Sequence, residues 1–394
     1  LDYADKSVRK AVAKQLRIEE KAIKSVKIFR RSVDARKKDN IYFLTTVEAE
    51  LNINEEKVCK KCSNTQIARK YEYNQMKFGN APSPVIVGAG PAGLFAALIL
   101  ARSGANPILI ERGRDVDRRT ADVNRFWTSG KLDITSNVQF GEGGAGTFSD
   151  GKLNSGTKDI RQRKVLEEFV SHGAPDEILY NAKPHIGTDM LKGTIKNIRN
   201  EIIELGGRVM FETKLVSMAF SDNKLKAITV ETENGNEIIE TDNVILAIGH
   251  SARDTFEMLY DLKLPIEAKP FSIGARIEHL RQKVDKAQYG RFAGNKKLGS
   301  ANYKLSTHLD NGRGVYTFCM CPGGKVVNAS SEENRLCTNG MSEFARNAEN
   351  SNSALLVGIN PDDYESDHPL AGMYLQRKLE SKAFVAGGGK YKTP

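Results

Sequence analysis

Three glycines and one acidic residue in this sequence have the spacing of a dinucleotide-binding site. Gly88, Gly90 and Gly93 form a G-x-G-x-x-G pattern, and Glu111 follows 18 residues after the last glycine. The first glycine permits a tight turn, the second lets the backbone approach a pyrophosphate, and the third lets a helix pack against a strand. The carboxylate can accept hydrogen bonds from ribose hydroxyls, whereas it repels a 2′-phosphate. The pattern therefore favours FAD or NAD over NADP.

A strand, a turn and a helix must surround these glycines to form such a site. Val85–Val87 is a short apolar run typical of a buried parallel strand, and Ile108–Ile110 predicts the next strand. Pro91 suits the first turn of the intervening helix, and Gly104 suits its end. Residues 78–101 carry no charge, but prolines and glycines interrupt them repeatedly. They therefore predict this βαβ unit rather than a membrane-spanning helix.

A second glycine-rich segment, FGEGGAGTFSDGKL at residues 140–153, contains five glycines. So many missing side chains predict that the backbone passes close to a ligand. Several consecutive N–H groups in such a loop can form an anion-binding concavity. We therefore expect this loop to contact the same dinucleotide.

Residues 88–112, the loop at 140–153 and VILAIGHSARDTFEML at 244–259 resemble the FAD-binding members of the glutathione reductase superfamily. The chain is more closely similar to a family of uncharacterised FAD-dependent dehydrogenases. That likeness extends over three further strings, PHIGTD at 184–189, KPFSIGARIEH at 269–279 and GVYTFCMCPGG at 314–324. It implies an α/β protein whose Rossmann-type FAD-binding domain carries an inserted antiparallel β-rich substrate domain.

The resemblance also implies which residues bind FAD. In the superfamily a glycine-rich segment wraps the pyrophosphate and the flavin edge, a residue equivalent to Val216 meets adenine through its backbone, and the chain bends at Gly249 beneath the cofactor. The implied cofactor-binding residues are Gly88, Gly90, Pro91, Ala92, Gly93, Glu111, Arg112, Gly143, Gly144, Ala145, Gly146, Thr147, Val216 and Gly249.

Three basic side chains are candidates for catalysis. A reduced flavin gains negative charge, so a nearby cation eases its reduction, and Lys152 directly follows the last glycine of the loop. His250 and Arg276 are candidates for contact with the substrate. An ordinary structural role is an equally open reading of each residue.

The cysteines indicate neither a metal site nor a disulfide scaffold. Cys59 and Cys62 form one CxxC pair without a second ligand pair, so no zinc site is expected. On a regular strand Cys319 and Cys321 share a face with Cα atoms about 6.5–7 Å apart, at or beyond the limit for a disulfide. Packed thiols are the favoured interpretation of that pair, and a redox pair near the flavin is the alternative.

Composition indicates a multidomain protein with a basic N-terminal module. Residues 1–80 contribute +8 of the net charge of +10, and the segment at 78–84 contains the glycine and prolines of a linker. We predict a small basic α+β module at 1–80, an FAD-binding domain at 81–260 and a substrate domain at 261–394. The module could engage nucleic acid or an acidic partner, although a solvated lysine-rich face is the simpler reading. Five cysteines in 394 residues and no signal-peptide pattern suit the cytoplasm.

The remaining pattern predicts secondary structure along the chain. A helix and strands near 22–30 and 40–51 are expected in the module. Later elements are a helix at 189–206, strands at 208–212, 215–220, 226–232 and 243–248, and antiparallel sheet at 301–330.

Two functions are consistent with these features. The first is an FAD-dependent oxidoreductase that transfers hydride between flavin and an unknown small molecule. NAD(P)H would bind only transiently, because no second dinucleotide fingerprint is present. The second is a flavin-containing binding or regulatory protein whose module engages nucleic acid or an acidic partner. The resemblance also implies a chain that returns to the FAD domain, so the sequence is expected to lack on the order of 100–150 residues.

Overall fold

The computed structural model describes residues 5–68, 72–79, 82–157 and 159–392. The helices and strands of these residues are, in chain order, α1 (Asp5–Leu16), β1 (Ile23–Asp34), β2 (Tyr42–Leu51), α2 (Glu55–Lys61), β3 (Val85–Val87), α3 (Pro91–Arg102), β4 (Ile108–Ile110), α4 (Val116–Ser129), α5 (Gln162–Ser171), α6 (Thr188–Glu204), β5 (Arg208–Met210), β6 (Lys214–Ser221), β7 (Lys224–Thr232), β8 (Gly235–Glu240), β9 (Val244–Leu246), α7 (Arg253–Asp261), β10 (Phe271–Leu280), α8 (Arg281–Tyr289), β11 (Ser306–His308), β12 (Gly314–Cys321), β13 (Lys325–Asn328), β14 (Thr338–Met341), β15 (Asn350–Ile359) and α9 (Ala371–Ala386).

The chain divides into two compact units that are each built from several segments. The first unit comprises Leu1–Asn74, Lys152–Ile186 and Gln282–Ala301, and the second comprises Gln75–Gly151, Gly187–Arg281 and Asn302–Pro394. This division differs from the expected boundaries at 80 and 260, because two later segments join the N-terminal residues. The three domains therefore stay a prediction.

The first unit is organised around the antiparallel pair β1 and β2. The predicted helix and both predicted strands of this region are confirmed. Strand β1 also pairs with a distant segment, since the N–H of Arg31 donates to the carbonyl of Tyr180 at 2.7 Å and the N–H of Ala182 donates to the carbonyl of Arg31 at 2.8 Å. The N-terminal residues thus share backbone hydrogen bonds with a segment about 150 positions later.

The second unit contains a parallel sheet in the order β5-β4-β3-β9. The predicted βαβ unit is confirmed: β3 pairs in parallel with β4, Pro91 is the first residue of α3, and Gly104 has a φ of +81° just beyond its end. One face of the sheet is covered by apolar residues of β6, β7 and α7. The buried cluster comprises Val85, Val87, Ile110, Leu215, Met218, Ile228, Val230 and Leu259.

Helix α3 packs against its own strand through a glycine contact. A Cβ placed on Gly93 would overlap the carbonyl oxygen of Gly88, far inside contact distance. Gly88 itself has a φ of +103° and faces the carbonyl of Ala247 on the neighbouring chain segment. The first and third glycines of the fingerprint are therefore required by the protein's own packing.

A three-stranded antiparallel sheet in the order β6-β7-β8 follows the parallel strands in the same unit. Strands β6 and β7 were predicted from their apolar pattern, but β8 was not. The missed signal is Gly235, which directly follows the two turn residues Glu233 and Asn234 of the β7–β8 hairpin and has a φ of +104°. A glycine with positive φ beside a tight turn is typical of a hairpin.

The region expected to be antiparallel forms the sheet β10-β15-β12-β11 and the hairpin β13–β14. Strand β12 is not regular, because its register against β15 shifts between Phe318 and Cys321, and Cys319 has a φ of +46°. The assumption of a regular strand at Cys319 and Cys321 was therefore wrong: a β-bulge separates the two residues. Cys321 is buried, and its thiol donates to the carbonyl of Cys319 at 3.3 Å.

Across the described residues, no helix combines the length and the apolar content that a bilayer span requires.

We predict opposite effects from alanine at two helical glycines. Gly93→Ala should destabilise the protein by about 1–3 kcal/mol, because the added methyl group must push α3 away from the Gly88 carbonyl. Gly193→Ala is the matched control on α6: nothing lies within 4 Å of its added Cβ, so helix propensity should stabilise the protein by about 0.5–1 kcal/mol. Denaturant unfolding measures both changes, and equal effects of the two substitutions would contradict the packing role of Gly93.

Candidate functional site

A cavity of about 570 Å³ lies in the second unit. Val87, Ile110 and Leu246, which end three neighbouring parallel strands, contribute to its wall. Ligands of open α/β sheets bind beyond the carboxyl ends of the strands, and this volume is within the range of cofactor sites. The cavity therefore lies where this type of sheet binds its ligand.

The structure brings most of the predicted cofactor-binding residues to this cavity. Those that line it are Gly88, Gly90, Pro91, Ala92, Glu111, Arg112, Gly144, Ala145, Gly146 and Gly249, together with His250. Gly93, Gly143 and Thr147 are absent from the lining. Val216 is also absent from it, although its neighbours Thr213, Lys214 and Leu215 are present.

Glu111 connects three chain segments around the cavity. One carboxylate oxygen, Oε2, accepts the N–H of Ala89 in the fingerprint turn at 2.8 Å. The other, Oε1, accepts the N–H of Gly113 at 2.9 Å and that of Gly141 in the glycine-rich loop at 3.0 Å. The side chain is buried, so these three bonds replace the water that the carboxylate loses. The spacing of the fingerprint predicted this residue as a ligand-binding carboxylate but did not predict its bridging role.

Arg119, which no sequence pattern indicated, holds the same loop by donating to the loop's carbonyl oxygens. Its guanidinium is completely buried and donates to Asn137 O at 2.9 Å, Val138 O at 3.0 Å and Glu142 O at 2.6 Å. Burial lowers the pKa of Arg119 to about 10, although the nearby carboxylates of Glu111 and Glu142 oppose this effect. The side chain therefore remains a cation at neutral pH. An arginine within an amphipathic helix such as α4 carries no sequence signal for this role.

Gly143 and Thr147 shape the loop from behind the cavity wall. A Cβ on Gly143 would overlap the Thr147 hydroxyl, and Gly143 has a φ of +84°. The Thr147 carbonyl accepts the hydroxyl of Thr188 at 2.7 Å, which ties the loop to the start of α6. Both residues thus support the loop without lining the cavity.

Three glycines leave open space in the cavity wall. A Cβ on Gly90 would approach nothing closer than the Cα of Gly144 at 3.9 Å, and a Cβ on Gly146 or Gly249 would meet nothing within 4 Å. The first N–H groups of α3, those of Ala92 and Gly93, have no acceptor within the helix because it begins at Pro91. A wall with open backbone and free N–H groups fits a ligand with phosphate groups.

Arg112 also lines the cavity, and an acidic partner fixes its position. It forms a bidentate pair with Asp254 at 2.8 and 3.1 Å and lies over the ring of Phe140 at 4.5 Å. Burial by itself would raise the pKa of Asp254, but Arg112 and then Lys214 lower it to about 2. The Asp254 carboxylate is therefore ionised at neutral pH.

His250 lies in a short chain of polar side chains. Its Nδ1 is 3.0 Å from the hydroxyl of Ser251, which donates to Gln139 Oε1 at 3.2 Å. Gln139 in turn donates through Nε2 to the carbonyl of Ala329 at 3.1 Å. This chain fixes the orientation of the imidazole, and Ser251 and Gln139 also line the cavity.

The other two catalytic candidates are outside the lining. Lys152 belongs to the first unit, where it forms an isolated antiparallel bridge with His185. Arg276 is half-buried on β10 and donates to Cys319 O and to Asn352 Oδ1. In the described part of the chain, no three His, Cys, Asp or Glu side chains are grouped so that they could hold a metal ion.

Three family models match the chain. Residues 83–122 match an FAD binding domain, and residues 270–394 match a model described as FAD-dependent protein, C-terminal domain-like. Residues 1–50 match a domain of unknown function. The first two matches cover the fingerprint and the antiparallel sheet. The narrower likeness to the glutathione reductase superfamily stays a prediction.

Solved structures of flavoproteins are distantly similar. Glycerol-3-phosphate dehydrogenase from Bacillus halodurans complexed with FAD is 12% identical with a TM-score of 0.35, over 79% of this chain and 53% of that chain. The flavin-dependent halogenase CmlS is 15% identical with a TM-score of 0.37, over 79% and 46%. The chain thus spans about half the length of these two structures, and a likeness at this level does not assign a reaction.

A relative at much higher identity is an uncharacterized protein of Clostridium beijerinckii. It is 47% identical over 393 residues, which are 98% of this chain and 73% of that protein. The chain belongs to the family of the Clostridium beijerinckii protein, and the FAD binding domain at its fingerprint identifies FAD as its cofactor.

Proposed function

We propose that the protein is an FAD-dependent oxidoreductase that transfers hydride between the flavin and a small molecule. The observation that carries the proposal is the cavity at the ends of β3, β4 and β9, whose wall combines open glycines with the bridging carboxylate of Glu111. When bound, FAD supplies a centre that accepts or donates two electrons together with a proton. The protein's residues bind, orient and shield that centre.

The pyrophosphate is assigned to the turn between β3 and α3. The N–H groups at the start of α3 and the positive end of its dipole favour a dianion there. Gly90 is the position at which the phosphate would come nearest to the backbone, because nothing else fills the space beside its Cα. The neighbouring open glycine, Gly146, extends this space along the loop.

Glu111 keeps limited capacity for a ribose hydroxyl. A carboxylate offers about four acceptor positions, and three are used by the N–H groups of Ala89, Gly113 and Gly141. The unused position is on Oε2, which accepts only one of these bonds. The residue would therefore hold the cofactor while it holds the loops.

His250 is the proposed proton-handling residue. Ser251 occupies its Nδ1, so Nε2 is the nitrogen left for exchange of a proton with a substrate. Lys152 and Arg276 stay proposals for charge stabilisation at the flavin and for substrate contact, respectively.

We predict that Gly90→Val separates cofactor binding from folding. Gly90 has a φ of −72°, which valine can adopt, so the cofactor-free protein should lose only about 1 kcal/mol of stability. The valine side chain would occupy the phosphate space, so FAD affinity should fall at least about tenfold, or by 1.4 kcal/mol or more. Flavin fluorescence titration measures the affinity, and an unchanged dissociation constant would contradict the assignment.

Glu111→Gln should instead reduce both the stability of the protein and its retention of FAD. Glutamine presents an amide donor where the carboxylate accepts N–H groups, so buried donors lose their acceptor and stability should fall by about 1–3 kcal/mol. FAD content after purification should fall as well. Glu240→Gln, at an exposed position at the end of β8, is the control and should change neither quantity. A Glu111→Gln protein with normal stability would show that the three hydrogen bonds are dispensable.

The oxidoreductase assignment is tested by anaerobic reduction of the purified protein. Flavin absorbance near its long-wavelength band is followed after addition of NADH, NADPH or fractions of a metabolite extract. We expect at least one of these to bleach the flavin within seconds, and His250→Gln to slow that step while FAD content stays normal. Bound flavin that no donor reduces faster than free FAD would refute the proposal.

A further inference from the structure

Arg276 differs from three arginines of the second unit that form ion pairs with acidic side chains. Arg112 faces Asp254, Arg253 faces Glu380 and Glu332, and Arg346 faces Asp150. Within the described residues, no Asp or Glu forms an ion pair with Arg276, and its hydrogen-bond acceptors, the Cys319 carbonyl and the Asn352 side chain, are uncharged. Glu278, two residues along the same strand, is exposed and makes no ion pair with it. The guanidinium therefore holds an uncompensated charge in a half-buried position.

The guanidinium is held through one nitrogen only. Nη1 donates to the carbonyl of Cys319 at 3.2 Å and to Asn352 Oδ1 at 2.6 Å. Nε and Nη2 have no acceptor in the part of the chain that the structure describes. These two nitrogens form the edge of a guanidinium that matches both oxygens of a carboxylate. Neutral groups thus orient Arg276, and the edge formed by its Nε and Nη2 is available to a ligand.

Two energetically unfavourable features accompany the orientation of this arginine. Asn352 is completely buried, and its Nδ2 has no hydrogen-bond partner because Oδ1 points at Arg276. Cys319 has a left-handed φ of +46°, at the bulge that directs its carbonyl to the same nitrogen. An unsatisfied buried donor costs about 1–3 kcal/mol, and strained backbone concentrates at functional sites.

The thiol of Cys337 does not neutralise the charge of Arg276. Burial raises the pKa of Cys337 to about 11, although Arg253 and Arg276 act in the opposite direction. This thiol is therefore protonated at neutral pH. The glycine at position 340 brings β14 directly against Arg276 and Asn352, because a Cβ there would overlap both side chains.

An exposed aromatic ring lies on the same face of the sheet. Arg276 and Phe318 are both directly opposite Ala354 on the strand between them, so the three side chains project to one side. The backbones of Arg276 and Phe318 are two strand spacings, roughly 10 Å, apart. Phe318 is 58% exposed. A cation and an apolar surface are thus presented side by side.

We propose that this face binds a small organic acid: Arg276 binds its carboxylate, Asn352 positions Arg276, and Phe318 contacts its apolar body. The proposal deepens the proposed function, on which it rests for the role of this acid as substrate. The binding itself requires no electron transfer, so it can be measured on the oxidised protein without turnover.

The test is isothermal titration of the purified, FAD-containing protein with benzoate, and with benzamide as the uncharged analogue of the same shape. We expect saturable benzoate binding and at least about tenfold weaker binding of benzamide. Arg276→Gln should weaken benzoate binding at least about tenfold, and Phe318→Ala at least about threefold. Arg313→Gln, which removes an arginine paired with Asp363 beside the same sheet, is the control and should leave the benzoate constant within about twofold.

Asn352→Asp distinguishes a positioning role from a structural one. The new carboxylate would pair with Arg276 and remove the unsatisfied Nδ2 group, so the unfolding midpoint should not fall while benzoate binding is lost. Equal binding of benzoate and benzamide, unchanged binding in Arg276→Gln, or retained binding in Asn352→Asp would each overturn the proposal. Bound benzoate together with a flavin that no donor reduces would leave this site standing and refute the oxidoreductase assignment instead.

Discussion

The site depends on one buried carboxylate that accepts three backbone N–H groups. Glu111 directly follows β4, and it connects this point with Ala89 in the fingerprint turn and Gly141 in the glycine-rich loop. A backbone N–H excluded from water must find an acceptor, and a charged acceptor binds it more strongly than a neutral one. The carboxylate therefore determines how three segments distant in sequence meet around the cavity.

The same loop is stabilised from its other side by a buried cation. Arg119 accepts no hydrogen bonds and donates to carbonyl oxygens at residues 137–142, whereas Glu111 takes N–H groups from the loop and its surroundings. Both charges are isolated from water. Because they attract each other through a medium of low dielectric, removal of either side chain would leave the other charge less stabilised. A glycine-rich segment with little side-chain packing of its own thus acquires one defined conformation.

Features that depend on local sequence pattern could be predicted from the sequence, whereas features that depend on contacts between distant segments could not. The apolar run Val85–Val87 and the spacing of Gly88 and Glu111 were sufficient to predict the βαβ unit and two residues of the cavity wall. Arg119 was not predictable, because its partners are carbonyl groups about 20 residues away that any sequence supplies. The bulge at Cys319 was missed for the same reason, since the register of β12 is set by its pairing with β15.

The glycines show why a motif alone cannot separate folding from binding. A Cβ on Gly93 collides with the protein's own backbone, so this glycine is required whether or not a ligand binds. A Cβ on Gly90 meets nothing closer than 3.9 Å, so the folded chain alone gives no reason for its absence. The two positions are equivalent in the G-x-G-x-x-G pattern, yet only the space beside Gly90 requires a second molecule to explain it. That difference, visible only in three dimensions, turns a sequence pattern into an argument for a bound phosphate.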